Sequence, residues 1–202
     1  MSTFRHEPTG KRFLFVHIPR TAGRFFGENL LVNGWEMEQD DHWERIEGFE
    51  MAHFHRKMYE RYLNVKGIPH IVIVRNPIDR FKSAFSHLPF LYDSYGYFIS
   101  DIINNLHILS NDIRTYNYYR PQVEFISNKT HIWKFEDGFG DDFSAWISNI
   151  LGVDFSLKVN APLSSIDKAA KSRGRVEFSD EVVDYLKKFY HNDIKQFYPE
   201  LK

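Results

Sequence analysis

Apolar residues in this chain fall into two kinds of run, and their alternation sets the expected fold. Phe13–Ile18 (FLFVHI) is almost unbroken and rich in β-favouring residues, the pattern of a strand buried on both faces. Pro19–Gly23 interrupts it, and Arg24–Val32 restarts with the spacing of an amphipathic helix. Ile71–Val74 is a second buried strand, entered through Gly67 and Pro69. Asn76-Pro77 then supplies a helix N-cap and a proline at the first helical position, with Asp79 in the first turn. Ile78, Phe81, Ala84, Phe85 and Leu88 share one face of that helix.

Further along, Tyr95–Leu109 and Ile113–Ile126 read as helices, and His131–Phe135 as a short strand ending at Glu136-Asp137-Gly138. Phe143–Leu151 is a helix closed by Gly152. The segment Asp154–Glu177 is irregular and holds a basic cluster: Lys168, Lys171, Arg173 and Arg175. Ser179–Phe197 reads as one amphipathic helix, with Ser179 as its cap and a stripe that includes Val182, Leu186, Tyr190 and Ile194. Strands alternating with helices predict an α/β architecture with a mostly parallel central sheet flanked by helices. With no repeats and no convincing linker, residues 1–202 are expected to form a single domain.

Composition narrows the partners. The 202 residues carry 26 basic and 27 acidic side chains, a net charge of −1, so no global field draws nucleic acid and any anion site must be local. There are no cysteines, which excludes disulfides, thiolate chemistry and cysteine-ligated metals. No apolar run is long enough to span a bilayer, and MSTFRHEPTGKR lacks an apolar signal core. The expectation is a soluble, cytoplasmic protein whose oligomeric state is left open.

Both strand-to-helix turns carry phosphate chemistry. In Ile18–Gly23 the chain leaves a strand, turns and starts a helix, so backbone N–H groups and the helix dipole point at one spot. Arg20 adds a planar, permanently charged fork, and Gly23 allows close backbone approach. The GxxxxGK[ST] pattern is absent, which argues against a generic ATPase, GTPase or kinase. In the second turn Arg75 stands at the strand end and Ser83 about two helical turns beyond. Two such turns in one chain imply a ligand with two separate phosphates.

These residues also carry a resemblance. His17-Ile-Pro-Arg-Thr-Ala-Gly23 resembles the HIPKTAG loop of the sulfotransferase superfamily, specifically the carbohydrate sulfotransferases related to the heparan sulfate uronyl 2-O-sulfotransferases. Arg75-Asn-Pro-Ile-Asp-Arg-Phe-Lys-Ser83 resembles that group's R[DN]PxxRxxS motif. The resemblance implies a P-loop-like three-layer fold and a donor, 3′-phosphoadenosine 5′-phosphosulfate (PAPS), leaving 3′-phosphoadenosine 5′-phosphate (PAP) with no metal required. It assigns Arg20, Thr21, Ala22, Gly23, Arg24 and Phe25 to the 5′-phosphosulfate, and Arg75 and Ser83 to the 3′-phosphate. Arg173, in the basic cluster, falls where related enzymes close a loop over the nucleotide; a solvated loop is the plainer reading of that cluster.

Within Met51-Ala-His53-Phe-His55 the resemblance makes His53 the general base, with His55 second, while His17 reads as structural. Arg20 takes the lysine's place at the leaving phosphate, and Arg24-Phe25 replace a Thr-Ser pair. Arg80 reads as an exposed helix residue or a phosphate contact. Arg120 faces an anionic acceptor or forms a surface salt bridge. The implied activity is sulfuryl transfer to a hydroxyl-bearing small molecule or glycan. The alternative is a catalytically degenerate protein that binds nucleotide or sulfated glycan without turnover.

Overall fold

The structure, a computed structural model, describes residues 1–38, 45–46, 49–87, 99–112, 117–159 and 177–201. The chain divides into two compact units, Met1–Arg75 with Glu124–Ala161, and Asn76–Val123 with Pro162–Lys202.

The first unit is built on a five-stranded sheet. Its strands are β1 (Ser2–His6), β2 (Arg12–Val16), β3 (Trp35–Met37), β6 (His70–Val74) and β7 (Thr130–Lys134), in the order β3-β1-β2-β6-β7. A separate two-stranded ribbon joins β4 (Arg45–Ile46) to β5 (Phe49–Glu50). Strands β2, β6 and β7 are parallel, with Val16 opposite Val72 and Val74 opposite Lys134. Strand β1 is antiparallel to both β2 and β3.

The sheet is therefore mixed, where a mostly parallel one was expected. The difference lies in the first residues, which pattern analysis takes as a plain polar terminus. Ser2 and Thr3 are buried, Phe4 packs against Phe13 at 5.6 Å between ring centroids, and Gly10 at φ +70° closes the hairpin. A five-residue strand with one large apolar side chain gives almost no periodic signal.

Helix α1 (Gly23–Val32) and the helix Asp141–Leu151 pack Phe26, Leu30, Phe143 and Ile147 onto Phe13, Phe15, Ile71 and Ile73. Strand alternation turns Leu14, Val16, Val72 and Val74 to the other face, and they are buried too. Both central strands are thus covered on two sides, as their unbroken apolar runs required. Gly152 ends the second of these helices in the left-handed region at φ +58°. The strand expected at His131–Phe135 runs one residue earlier, and Phe135–Asp137 forms a 3-10 turn.

The second unit is helical. Helix α3 (Pro77–His87) packs with segments Ile99–Asn104, Leu106–Leu109 and Asp180–Phe189 around Phe81, Ile102, Leu106, Tyr119, Leu186 and Tyr190, and a last helix, His191–Phe197, follows. The single helix expected over Ser179–Phe197 breaks at Tyr190; its cap is as read, with Ser179 Oγ accepting from Val182 N. The helix expected at Tyr95–Leu109 is described from Ile99 and is interrupted at Asn105. Of Ile113–Ile126, residues 113–116 lie outside the described residues. The rest is not the expected helix but a turn with Asn117 at φ +58° and then the 3-10 segment Gln122–Phe125, because Pro121 breaks a helical ladder.

Arg80 is the largest departure from expectation here. It is fully buried, donating to the carbonyls of Tyr118 (3.0 Å) and Arg120 (2.6 Å), and its guanidinium lies over the Tyr190 ring. Arg120, expected at the surface, is buried as well, and its Nε donates to Asn117 Oδ1 at 2.9 Å. Asp193 accepts from the backbone N–H groups of Gln122 and Val123 at 2.8 and 2.9 Å. Burial raises its pKa above the usual carboxylate value, opposed by Arg80 and those N–H donors. These groups form the polar scaffold of the second unit.

Candidate anion site at the strand ends

Register decides which residues meet. Because β2 and β6 are parallel neighbours, their carboxyl ends open side by side, the position where α/β sheets bind ligands. Loop Ile18–Ala22 leaves β2 there, and Arg75 leaves β6.

The first loop is held in an uncommon conformation. Arg20 and Ala22 both lie in the left-handed region, at φ +68° and +69°. Each such non-glycine residue costs on the order of 1–3 kcal/mol, and such outliers cluster at ligand clamps. Thr21 locks the turn from inside: its hydroxyl donates to the Ile18 carbonyl at 2.8 Å and the residue is buried. Left-handed residues in a tight turn direct successive N–H groups into one concavity.

Helix α1 begins on this loop without the usual protection. Its N-cap is Ala22, no side chain caps it, and its first turn contains no acidic residue. Arg24, exposed in that first turn, adds positive charge to the positive end of the helix dipole. An open N-terminus, a basic first turn and left-handed backbone together favour an oxyanion.

Arg75 ties the second strand end to the first. Its Nη1 donates to the Arg20 carbonyl at 3.3 Å, and its guanidinium stacks over Phe135 at 4.6 Å. From the sequence Phe135 is read only as a strand end and is given no role at the site; an aromatic residue closing the last strand of a parallel set was the available signal. Phe25 is buried, its ring set against Phe139 at 5.1 Å, so its side chain is committed to apolar packing.

Gly23 has a reason that the sequence did not reveal. A Cβ there would lie 2.0 Å from Cδ2 and Nε2 of His17. The His17 ring stacks on Phe15 and meets His53 edge-on, with ring centroids 5.5 and 4.9 Å apart. His53 is buried at the end of a 3-10 segment, Met51–His53, whose Met51 and Ala52 carbonyls accept from the Met1 nitrogen at 2.7 and 2.6 Å. His55 is half-buried and opens helix α2 (Arg56–Tyr62). The structure thus gathers Arg20, Gly23, Arg75, His17 and His53 within one unit. Ser83 stands half-buried on α3 in the other unit, and Arg173 lies outside the described residues.

No protein-family model matches this chain, and no curated protein is significantly similar to it. Among solved structures it is similar to the crystal structure of a sulfotransferase from Alicyclobacillus acidocaldarius, with 20% identity and a TM-score of 0.40. That likeness covers 69% of this chain, and the chain spans 55% of that protein. Similarity at this level decides neither fold nor activity. Among the described residues no helix is long and apolar enough to cross a membrane, and no cluster of three or more His, Asp or Glu could hold a metal ion.

Proposed function

We propose that the chain is a PAPS-dependent sulfotransferase acting on a hydroxyl, most simply that of a carbohydrate. The observation that carries this reading is the uncapped, left-handed turn Arg20–Ala22 at the start of α1, beside Arg75 at the neighbouring strand end. An ordinary strand-to-helix turn has no use for two strained residues and a basic, uncapped helix start. The HIPRTAG and RNPIDRFKS segments give the anion its identity through their likeness to the sulfotransferase loops.

In this reading the acceptor hydroxyl oxygen attacks sulfur while the bridging sulfur–oxygen bond breaks, and the electron pair leaves with the 5′-phosphate. His53 takes the hydroxyl proton, and the loop N–H groups with Arg20 neutralise charge growing on the leaving oxygen. Arginine gives charge and hydrogen bonds but no transferable proton, so Arg20 stabilises the leaving group without protonating it. Arg75 takes the 3′-phosphate, the group to which the resemblance also assigns Ser83. Should the leaving oxygen need a proton, Arg20 would leave a protein that binds nucleotide without turnover, and Arg20→Lys would then raise the rate sharply.

Calorimetric titration with PAP tests the donor site. Micromolar binding is expected, with Arg75→Ala weakening it roughly 10- to 100-fold, the worth of a charge-assisted contact. Absence of binding at millimolar PAP would sink the reading. Labelled PAPS with a panel of sugars then tests transfer, and His53→Ala should abolish it while PAP still binds.

A further inference from the structure

A cavity of about 240 Å³ lies at the other end of the first unit's sheet, lined by Glu60, the stretch Leu63–Lys66, His70 and Ser127–Lys129. It opens at the amino ends of β6 and β7, and roughly 16 Å of extended chain separates His70 from Arg75. Nothing in the anion site at the strand ends uses it.

Its floor is neutral and internally satisfied. His70 Nδ1 is 3.0 Å from Ser127 Oγ, and Nε2 is 3.4 Å from the Val65 carbonyl. A carbonyl only accepts, so Nε2 carries the proton and Nδ1 accepts from the Ser127 hydroxyl. Burial holds the His70 pKa below its ordinary value, which keeps the ring uncharged.

The mouth, by contrast, is polar and carries uncompensated positive charge. Asn64, Lys66, Asn128 and Lys129 are exposed. Glu60 is the lining carboxylate, and Arg56 Nε binds it at 2.8 Å, cancelling its charge locally. Among the described residues neither lysine is in an ion pair. The volume falls below the roughly 300–1,000 Å³ typical of drug-sized or nucleotide ligands, so the occupant is smaller.

We propose that this cavity is a second, small-anion site that takes one acidic sugar unit. The sulfate, phosphate or carboxylate lies between Lys66 and Lys129, and the sugar hydroxyls meet the Asn64 and Asn128 amides. The site stands independently of the sulfuryl-transfer reading.

Amide chemical shifts of the full chain, titrated with glucose 6-sulfate, glucose 6-phosphate and glucuronate, test it. Saturable shifts at residues 64–66 and 127–129 are expected in the millimolar range, at least fivefold weaker in the Lys66→Gln/Lys129→Gln variant. Arg75→Ala should leave them unchanged, which separates this site from the one at the strand ends. The three probes rank the acidic group. Equal responses to neutral glucose, shifts reproduced by sodium chloride at matched ionic strength, or unaltered saturation in the double lysine variant would each overturn the assignment.

Discussion

The two strand-to-helix turns look alike in sequence yet reach opposite electrostatic states. In the second, Asn76 Oδ1 accepts from the N–H groups of Ile78 (3.0 Å) and Asp79 (3.3 Å), Pro77 removes another donor, and Asp79 adds a carboxylate to the first turn. That helix start satisfies itself. In the first, Ala22 offers no side-chain cap, the first helical turn holds no acidic residue, and the backbone is bent into the left-handed region twice. A terminus finished from within is scaffold, whereas one left open at a cost in strain is built for something from outside. In the proposed reading, the anion contact of the second segment is the side chain of Arg75 and not the helix end.

The open turn should suffer most when the packing that holds it in place is disturbed. Gly23→Ala puts a methyl group 2.0 Å from the His17 ring, which Phe15 and His53 hem in. Overpacking of this kind costs about 1–3 kcal/mol, and chemical denaturation should show a loss in that range. His17→Ala in the same chain should recover most of it, since the clash is with that ring. Failure of the second change to rescue the first would mean that Gly23 serves the backbone conformation alone.

How much of this was legible in the sequence depends on what kind of signal each feature leaves. Strands β2 and β6 were readable because burial on both faces forces an unbroken apolar run. The Asn76 and Ser179 caps and the Gly152 stop were readable because local chemistry fixes them. Strand β1 was not, since its partners rather than its own side chains create the burial of Ser2 and Thr3. Arg80 was misread for a related reason: a long charged side chain looks like surface until the Tyr118 and Arg120 carbonyls are found waiting for it. At the candidate site, the turn itself was legible from Pro19 and Gly23. The strain at Arg20 and Ala22 and the packing of His17 over Gly23 belong to tertiary structure and leave no local trace.

A smaller effect tests the self-capped turn. Asn76→Ala removes both side-chain bonds at the start of α3 and should lower stability by about 1 kcal/mol. PAP affinity should stay within about twofold of wild type if, as proposed, the anion contact there is the Arg75 side chain. A large loss of PAP binding in Asn76→Ala would show that the second turn binds through its helix end after all.

The smallest expected effect is the sharpest, because it converts one turn into the other. Ala22→Asp places a carboxylate at the uncapped start of α1, in a left-handed position that aspartate tolerates better than alanine. Capping and dipole compensation should raise stability by about 0.5–1 kcal/mol, seen as a higher melting temperature. The same charge opposes an incoming phosphate, so PAP affinity should fall about fivefold, the equivalent of roughly 1 kcal/mol. Ala22→Asn relieves the same backbone strain without the charge and should stabilise the protein while binding PAP nearly as well as wild type. A protein made more stable and less able to bind by one carboxylate is what an open anion seat predicts. If the Asp and Asn variants bind PAP equally, the start of α1 is not where the phosphate sits, and its strained backbone needs another explanation.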